Sequence, residues 1–301
     1  MKRVSLQLAA GIVFCLVVGT TASAQVARVF LAGTGNDTGD CTNQATPCRS
    51  LQGAVTACPV NGEIIILDNG GYGGATITKS LTVNASAGVV AFIARTITVT
   101  IASPDKVVLR GLSMNGVVFA DSFGIAFNGN GTLVVENSVI AGFTNGLHQN
   151  AAGSNLIVNN CEFRNNGNGL GSNGGAAVIE SSRFEYNSVS GMVATGGSSS
   201  ANVSIRNSVF ANNGVAVSAA SSTFSVLVVV DTCTIANNSI GMTANRFAVP
   251  GATIRATNST IYNNANGFIF DVGCAVESYG NNRVLANTAN STFSGSVLPL
   301  Q

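Results

Sequence analysis

The fold of this protein is decided by an eight-residue pattern that first occurs as Leu133-Val-Val-Glu-Asn-Ser-Val-Ile140 and is repeated five more times before Phe268. The other copies are Leu156-Ile-Val-Asn-Asn-Cys-Glu-Phe163, Ala177-Val-Ile-Glu-Ser-Ser-Arg-Phe184, Val203-Ser-Ile-Arg-Asn-Ser-Val-Phe210, Val228-Val-Val-Asp-Thr-Cys-Thr-Ile235 and Ile254-Arg-Ala-Thr-Asn-Ser-Thr-Ile261. The closing Phe or Ile recurs at steps of 23, 21, 26, 25 and 26 residues. A unit of this length cannot bury its apolar face alone, so the pattern predicts units that stack on one another.

Within each copy the apolar side chains alternate, which is the period of a β-strand and not of a helix. With the closing residue as position 0, positions 0, −2, −5 and −7 are apolar or small and are expected to face inward. The step of three between −5 and −2 interrupts the alternation at position −3, where four copies carry Asn137, Asn160, Asn207 and Asn258. Asn tolerates left-handed backbone, so we expect a corner there, with the amides stacked as a ladder.

A second Asn lies three residues after position 0, and a Gly-apolar pair then opens a third strand. The second Asn residues are Asn166, Asn187, Asn213, Asn238 and Asn264. Three short strands in each repeat predict an all-β fold, a single-stranded right-handed parallel β-helix (solenoid) of about ten coils.

The predicted solenoid occupies residues 80–290, and residues 25–79 are expected to form an N-terminal cap and the first coil. In the cap, apolar residues from Leu51 to Cys58 have helical spacing and Pro59 follows them, which predicts a capping helix. Such a helix would cover strand edges that the first coil otherwise leaves unpaired. Residues 291–301 are interpreted as a C-terminal tail.

Residues 1–24 have the features of a secretory signal peptide. Lys2 and Arg3 precede an apolar run from Leu8 to Gly19, and Ala22-Ser-Ala24 is typical of a cleavage site. We therefore expect a secreted or periplasmic protein, cleaved near Ala24, with no other apolar segment long enough to span a bilayer.

Only 9% of the residues are charged, and the formal net charge is +1. This composition provides no basic surface for nucleic acid or for an anionic membrane. No motif predicts a cofactor, and no Cys-x-x-Cys or paired His predicts a metal site. The patterns do not indicate an oligomeric state.

Six Cys residues follow the expected cleavage site. In an oxidising compartment, Cys41 and Cys48, which bracket a short loop containing Pro47, are expected to form a disulfide. Cys161 and Cys233 share position −2 but lie three turns apart, which is roughly 14 Å at about 4.8 Å per turn and too far for a bridge. They are interpreted as small buried side chains.

The sequence resembles secreted bacterial right-handed parallel β-helix proteins of the pectin-lyase-like superfamily. The similarity is carried by the loop from Cys41 through Pro47-Cys-Arg49, the opening coil Gly62-Glu-Ile-Ile-Ile-Leu-Asp68 with Gly71-Tyr-Gly73, Leu109-Arg-Gly-Leu-Ser-Met-Asn-Gly116, and the Asn-Ser-x-Phe turns. It covers essentially the whole mature chain. The resemblance implies the fold, whereas the superfamily includes lyases, hydrolases, epimerases and non-catalytic adhesins, so the activity must be argued from the site.

Enzymes of that superfamily carry their chemistry on the outer face of one strand of each coil. The resemblance implies Asp or Glu calcium ligands with an Arg or Lys base for a lyase, and three clustered Asp for a hydrolase. The outward positions that we assign to that strand are Ala126, His148, Gly171, Val193, Ser218, Thr243 and Ile269. None is a carboxylate, although glycoside hydrolysis needs two carboxyl groups and elimination needs a base. The pattern leaves enzyme activity undecided and favours its absence.

Charged residues concentrate on a different face. Position −1 places Glu162 beside Arg183 on adjacent turns, position +1 places Arg164 beside Glu185, and position −4 contains Glu180. One interpretation is structural, because opposite charges one rung apart stabilise a sheet by about 0.2–1 kcal/mol per pair. The other is that these five residues form a binding face for a polar polymer. His148, the single His, is either a solvated surface residue or a further binding residue.

Two functions are compatible with these patterns. The first is an exported, non-catalytic β-helix protein that binds a polysaccharide or a cell-surface polymer. The alternative is a divergent polysaccharide lyase or glycoside hydrolase, in which Asp121, Glu136 and His148 from separate turns would have to converge.

Overall fold

A computed structural model describes residues 27–247, 251–289 and 292–299. The expected signal peptide, residues 1–24, lies outside the described residues. In chain order the first strands are β1 (Arg28–Leu31), β2 (Gly62–Ile66), β3 (Gly70–Gly71), β4 (Ala75–Ile77), β5 (Leu81–Ala85), β6 (Ala91–Ile93), β7 (Ile97–Val99), β8 (Lys106–Arg110), β9 (Leu112–Asn115), β10 (Phe123–Phe127), β11 (Thr132–Glu136), β12 (Val139–Ala141), β13 (Asn145–Gln149), β14 (Asn155–Asn159) and β15 (Glu162–Arg164). They are followed by β16 (Asn168–Asn173), β17 (Gly175–Glu180), β18 (Arg183–Glu185), β19 (Ser190–Thr195), β20 (Ala201–Arg206), β21 (Val209–Ala211), β22 (Val215–Ser221), β23 (Val226–Asp231), β24 (Thr234–Ala236), β25 (Ile240–Arg246), β26 (Ala252–Thr257), β27 (Thr260–Tyr262), β28 (Asn266–Phe270), β29 (Ala275–Ser278) and β30 (Arg283–Leu285). One α-helix, α1 (Leu51–Ala57), follows β1, and a 3-10 helix (Gly116–Val118) follows β9.

The strands form three parallel sheets because each coil contributes one strand to each sheet. Sheet A has 11 strands in the order β1-β2-β5-β8-β11-β14-β17-β20-β23-β26-β29. Sheet B has 10 strands from β3 to β30, and sheet C has 9 strands from β4 to β28, each taking every third strand. The described segments therefore contain nine complete coils, from β2–β4 to β26–β28, with β1 before them and a partial tenth coil after them. The predicted right-handed parallel β-helix is confirmed.

The position 0 residues form one continuous file inside sheet B. Ile140, Phe163, Phe184, Phe210, Ile235 and Ile261 are in register from coil to coil, and each is 0% exposed. The rings of Phe163 and Phe184 are 4.9 Å apart and those of Phe184 and Phe210 are 4.6 Å apart, in nearly parallel stacks. Stacked aromatic pairs contribute about 0.5–1.5 kcal/mol beyond burial of their area, so this file is a principal support of the core.

The corner from sheet A to sheet B lies at position −3, as predicted. Asn137, Asn160, Asn207 and Asn258 all have φ of 49°, which places them in the left-handed region. The continuous amide ladder, however, lies at the next corner. The second Asn of each repeat is buried there, and its Nδ2 donates to Oδ1 of the Asn in the following coil at 2.9 to 3.1 Å, from Asn166 to Asn287. The prediction of a ladder at position −3 was therefore wrong for most of the coils.

Position −2 forms a second buried ladder, made of hydroxyls. Ser182 Oγ, for example, donates to the Glu180 carbonyl at 2.8 Å and accepts the backbone N–H of Cys161 at 3.1 Å. Cys161 and Cys233 replace Ser in this file and are free and buried. Burial raises the pKa of the Cys161 thiol to about 12 and that of Cys233 to about 11, so both are small interior side chains in their thiol form.

Both ends of sheet A are covered by other chain segments. At the first end, Cys41 and Cys48 form the expected disulfide, and this loop pairs with β1 through the bonds Phe30 N to the Cys41 carbonyl and Cys48 N to the Phe30 carbonyl, both 2.8 Å. The predicted capping helix is present as α1, whose N-cap hydroxyl on Ser50 accepts the Gly53 N–H at 3.0 Å.

At the other end of sheet A, the C-terminal segment lies along β29. Ser294 N donates to the Val276 carbonyl at 2.7 Å, and Leu298 N donates to the Ser278 carbonyl at 2.9 Å. No helix in the described segments is long and apolar enough to cross a membrane.

Candidate functional site

A concavity of about 220 Å³ follows the corner between sheets A and B in the middle of the solenoid. We call it the corner groove, and its lining residues are Asn137, Ser138, Val139, Asn160, Cys161, Glu162, Ser181 and Arg183. All of them come from positions −3, −2 and −1 of three successive coils. In each coil one left-handed residue at position −3 makes the corner, so the three corners are stacked on one another. Asn160 Nδ2 donates to Asn137 Oδ1 at 2.8 Å, and the shorter Ser181 occupies the corner of the next coil. The groove thus has an amide wall and a charged wall.

The charged wall is the one expected from the sequence. Glu162 is in register with Arg183, and Arg164 is in register with Glu185. The ion pairs nevertheless form within each strand. Arg164 Nε lies 3.2 Å from Glu162 Oε1, and Arg183 pairs with Glu185. Residues two apart on a strand project from the same face, so a long Arg side chain reaches along the strand as easily as across it.

Glu180 differs from every other acid in the chain. The sequence has 13 acidic residues, and all of them lie in the described segments. Seven pair with an Arg, and five accept hydrogen bonds from loop or turn groups. Glu180 has neither kind of partner in the described part of the chain, because Arg206 on the adjacent rung pairs with Asp231 instead. Its carboxylate is therefore an available acceptor, next in sequence to Ser181 of the groove.

His148 lies on sheet C, apart from the five charged residues on sheets A and B. Its ring is stacked on Phe123 with 5.4 Å between centroids, and it covers Gly171 of the next coil, where an added Cβ would lie 3.0 Å from His148 Cδ2. Burial lowers the pKa of His148 below its ordinary value and so favours the neutral ring. The neighbouring Gln149 points into the core, is 0% exposed, and donates to Ser154 Oγ at 2.8 Å.

The outward positions that the sequence assigned to sheet C form one register column. Ala126, His148 and Gly171 pair in sequence, followed by Val193, Ser218, Thr243 and Ile269. This column carries one titratable side chain, His148, at its fourth coil.

The three residues of the alternative enzymatic interpretation occupy separate places. Asp121 precedes β10 at the corner between sheets B and C and pairs with Arg95, whereas Glu136 ends β11 in sheet A and pairs with Arg110. His148 lies in β13 of sheet C. Among the described residues, no three or more His, Cys, Asp or Glu side chains are grouped to hold a metal ion.

The fold and these surfaces define a right-handed parallel β-helix with polar grooves along its corners. The chain belongs to the family described as the right handed beta helix region, whose model matches residues 63–240. The predicted resemblance to pectin-lyase-like proteins is confirmed at the level of this fold. Comparison with curated proteins gives no significant match.

Two solved structures extend the comparison. The chain is similar to the pectate lyase Pel9A, with a TM-score of 0.55 and 15% identity over 90% of this chain and 81% of the lyase chain. It is also similar to XylC in complex with xylose, with a TM-score of 0.59 and 8% identity over 85% of this chain and 70% of the other. At these identities the likeness shows a shared fold.

Proposed function

We propose that this protein is an exported, non-catalytic β-helix protein that binds a polysaccharide or a cell-surface polymer at the corner groove. The binding residues are Glu162, Arg164, Glu180, Arg183 and Glu185, and residues 1–24 direct export and are removed from the mature protein. The observation that carries the proposal is Glu180, the one carboxylate without a partner among the described residues, beside a concavity lined by amides and charged groups.

Hydroxyl-rich polymers suit such a groove chemically. A sugar hydroxyl both donates and accepts, so it can donate to the Glu180 carboxylate and accept from an Asn137 or Asn160 amide. The groove positions repeat once per coil, so the amides of Asn137 and Asn160 and the hydroxyl of Ser181 follow one another along the axis at the spacing of the rungs, about 4.8 Å. The two similar structures, a pectate lyase and a complex with xylose, support a carbohydrate as the ligand class.

A role in binding without catalysis is supported by the partners that the acidic side chains already have. Twelve of the 13 are engaged by Arg, loop or turn groups, and the outward column of sheet C contains no carboxylate. Catalysis of glycoside cleavage requires two carboxyl groups about 5 to 9.5 Å apart and free to exchange protons.

The test is binding of the purified mature chain to a polysaccharide array, with and without calcium, followed by affinity measurement on each hit. Glu180→Ala should weaken binding about tenfold or more, since a hydrogen bond to a charged group contributes about 1.5–3 kcal/mol. It should not lower the melting temperature, because no ion pair is lost. The double variant Glu162→Ala/Arg164→Ala should also weaken binding.

The matched control removes an ion pair of sheet A, Arg255–Glu277, which lies outside the groove. Arg255→Ala/Glu277→Ala should bind as the wild type does. New reducing ends or unsaturated products on any polysaccharide of the panel would contradict the non-catalytic role. Unchanged affinity in Glu180→Ala would exclude the groove.

A further inference from the structure

One coil carries an insertion that the others lack. Residues 116–122 connect β9 to β10, whereas residues 94–96, 142–144 and 165–167 make the same connection between sheets B and C in neighbouring coils. The insertion is anchored at its start. Asn115 Oδ1 accepts the Val117 N–H at 3.1 Å, and Gly116 lies so close to Phe143 that an added Cβ would be 2.3 Å from its ring. Insertions on one face of a solenoid often mark a binding side.

The insertion and helix α1 border a cleft of about 590 Å³ at the first coils. The cleft is separate from the corner groove, because it lies at the B–C corner instead of the A–B corner. It is lined by Gln52, Gly74, Ala75, Thr76, Arg95, Thr96, Asp121 and Ser122. Two of these residues, Arg95 and Asp121, are charged.

Asp121 is held in one orientation through one of its two oxygens. Oδ2 accepts from the Thr96 N–H at 2.9 Å and from Thr96 Oγ1 at 3.2 Å, and Arg95 Nε lies 3.4 Å from the same oxygen. The side chain is 18% exposed. In the described part of the chain every hydrogen bond of this carboxylate goes to Oδ2, so Oδ1 is a fixed acceptor that is free to take a ligand.

The guanidinium group of Arg95 packs against an aromatic ring. Its guanidinium carbon lies 4.8 Å from the centroid of Phe119, which belongs to the insertion, and its side chain is 51% exposed. A cation over an aromatic face is attracted by the ring quadrupole. Because Nε faces Asp121, the two terminal nitrogens remain as donors, and they have no hydrogen-bond partner among the described residues.

We infer that this cleft binds an uncharged sugar residue of a glycan, with Asp121 Oδ1 accepting from one hydroxyl and Arg95 donating to another. The adjacent opposite charges select against a net charge on the ligand, because an anion near Arg95 is repelled by Asp121 and a cation near Asp121 is repelled by Arg95. Two neighbouring hydroxyls satisfy both groups at once. This rests on the proposed carbohydrate binding, extends it to a second site and gives that site a preference for uncharged sugars.

The test is calorimetric titration of the full mature chain with uncharged xylo-, cello- and manno-oligosaccharides, and with oligogalacturonate and glucosamine oligomers as charged counterparts. An uncharged oligosaccharide should bind more tightly than either charged series. Asp121→Asn should weaken binding at least tenfold, because one acceptor oxygen becomes an NH₂ donor while the size is kept. Arg95→Gln should have a similar effect.

Arg206→Gln is the matched control, since Arg206 is also an exposed, ion-paired Arg but lies on sheet A. If Asp121→Asn does not fold, as judged by its circular dichroism spectrum, the exposed Arg95→Gln substitution still tests the site. Equal affinity of wild type and Arg95→Gln, no binding of uncharged oligosaccharides, or tighter Arg95-dependent binding of oligogalacturonate would overturn the inference. Glu180→Ala leaves the cleft intact, so its effect separates failure of the corner groove from failure of the cleft.

Discussion

At the scale of single residues, Asn has two different roles in each coil. At position −3 it adopts left-handed backbone and is exposed, so another residue that tolerates left-handed backbone can replace it. Three residues after position 0 it is buried, and its amide is fully used. Asn213 Nδ2 donates to the Phe184 carbonyl at 2.9 Å and to Asn238 at 3.0 Å, and its Oδ1 accepts from the backbone and the amide of Asn187.

Asn213→Ala should therefore lower the free energy of unfolding by about 2–4 kcal/mol, because several buried donors and acceptors lose their partner together. Asn207→Ala is the control. Asn207→Ala should lower the free energy of unfolding by about 1 kcal/mol, because Ala adopts left-handed backbone less readily than Gly or Asn. Urea unfolding of both variants measures the difference, and equal losses would mean that the buried ladder contributes no more than an exposed corner.

Residue identity alone located both Asn columns but not which of them is the buried ladder. Both columns recur once per repeat, and only the direction of the side chain relative to the coil axis separates them. The same limitation applies to Gln149. Its neighbour His148 faces outward, and the alternation of the strand turns Gln149 into the core, where its amide is satisfied by Ser154.

At the scale of elements, the ends of the sheets decide whether a solenoid remains a monomeric stack. A strand with unpaired N–H and C=O groups is a template for pairing with another chain. Here the loop closed by the Cys41–Cys48 disulfide pairs with β1, and the segment from Ser294 to Leu298 pairs with β29. The disulfide therefore keeps an edge covered as well as linking two residues.

In the double variant Cys41→Ser/Cys48→Ser, the free energy of unfolding should be lower by about 2–3 kcal/mol, which is the loop-closure contribution of a disulfide that closes a short loop. The variant should also associate, because the loosened loop exposes β1. Thermal unfolding measures the first effect, and light scattering measures the second. Cys161→Ser is the control and should be close to neutral, since Ser occupies the same file at Ser138, Ser182, Ser208 and Ser259. A double variant that melts and scatters like the wild type would contradict the capping role.

At the scale of the whole molecule, the coils are equivalent modules. Each is held mainly by its two neighbours, so stability is approximately a sum over coils and interfaces. The two candidate sites lie on different coils and different corners, the cleft at the first coils and the groove at the middle coils. Coils beyond them can therefore be removed without touching either site.

Deleting residues 234–259 joins Cys233 to Thr260, keeps the Arg206–Asp231 pair and removes one coil in register. The shortened chain should fold, keep both sites, and show a urea m-value lower by roughly a tenth, because m scales with the surface exposed on unfolding. Deleting residues 235–259 instead is the control, since a slip of one residue turns the inward side chains of the next strand outward. Equal stability of the two deletions would refute the register argument. Circular dichroism and urea titration distinguish the outcomes.

The solenoid, its three strands per coil, its inward file, its capping helix and its disulfide could all be predicted from the sequence, because each follows from local periodicity or from a short loop. The positions of the charged residues could also be predicted, because residues one repeat apart in the sequence lie on adjacent rungs of a sheet. The contacts that these side chains make depend on the three-dimensional packing. It paired Glu162 with Arg164 along a strand, left Glu180 without a partner, and set Arg95 on Phe119 beside Asp121. Those outcomes depend on the three-dimensional direction of long side chains and on one insertion, and the repeat pattern predicts neither.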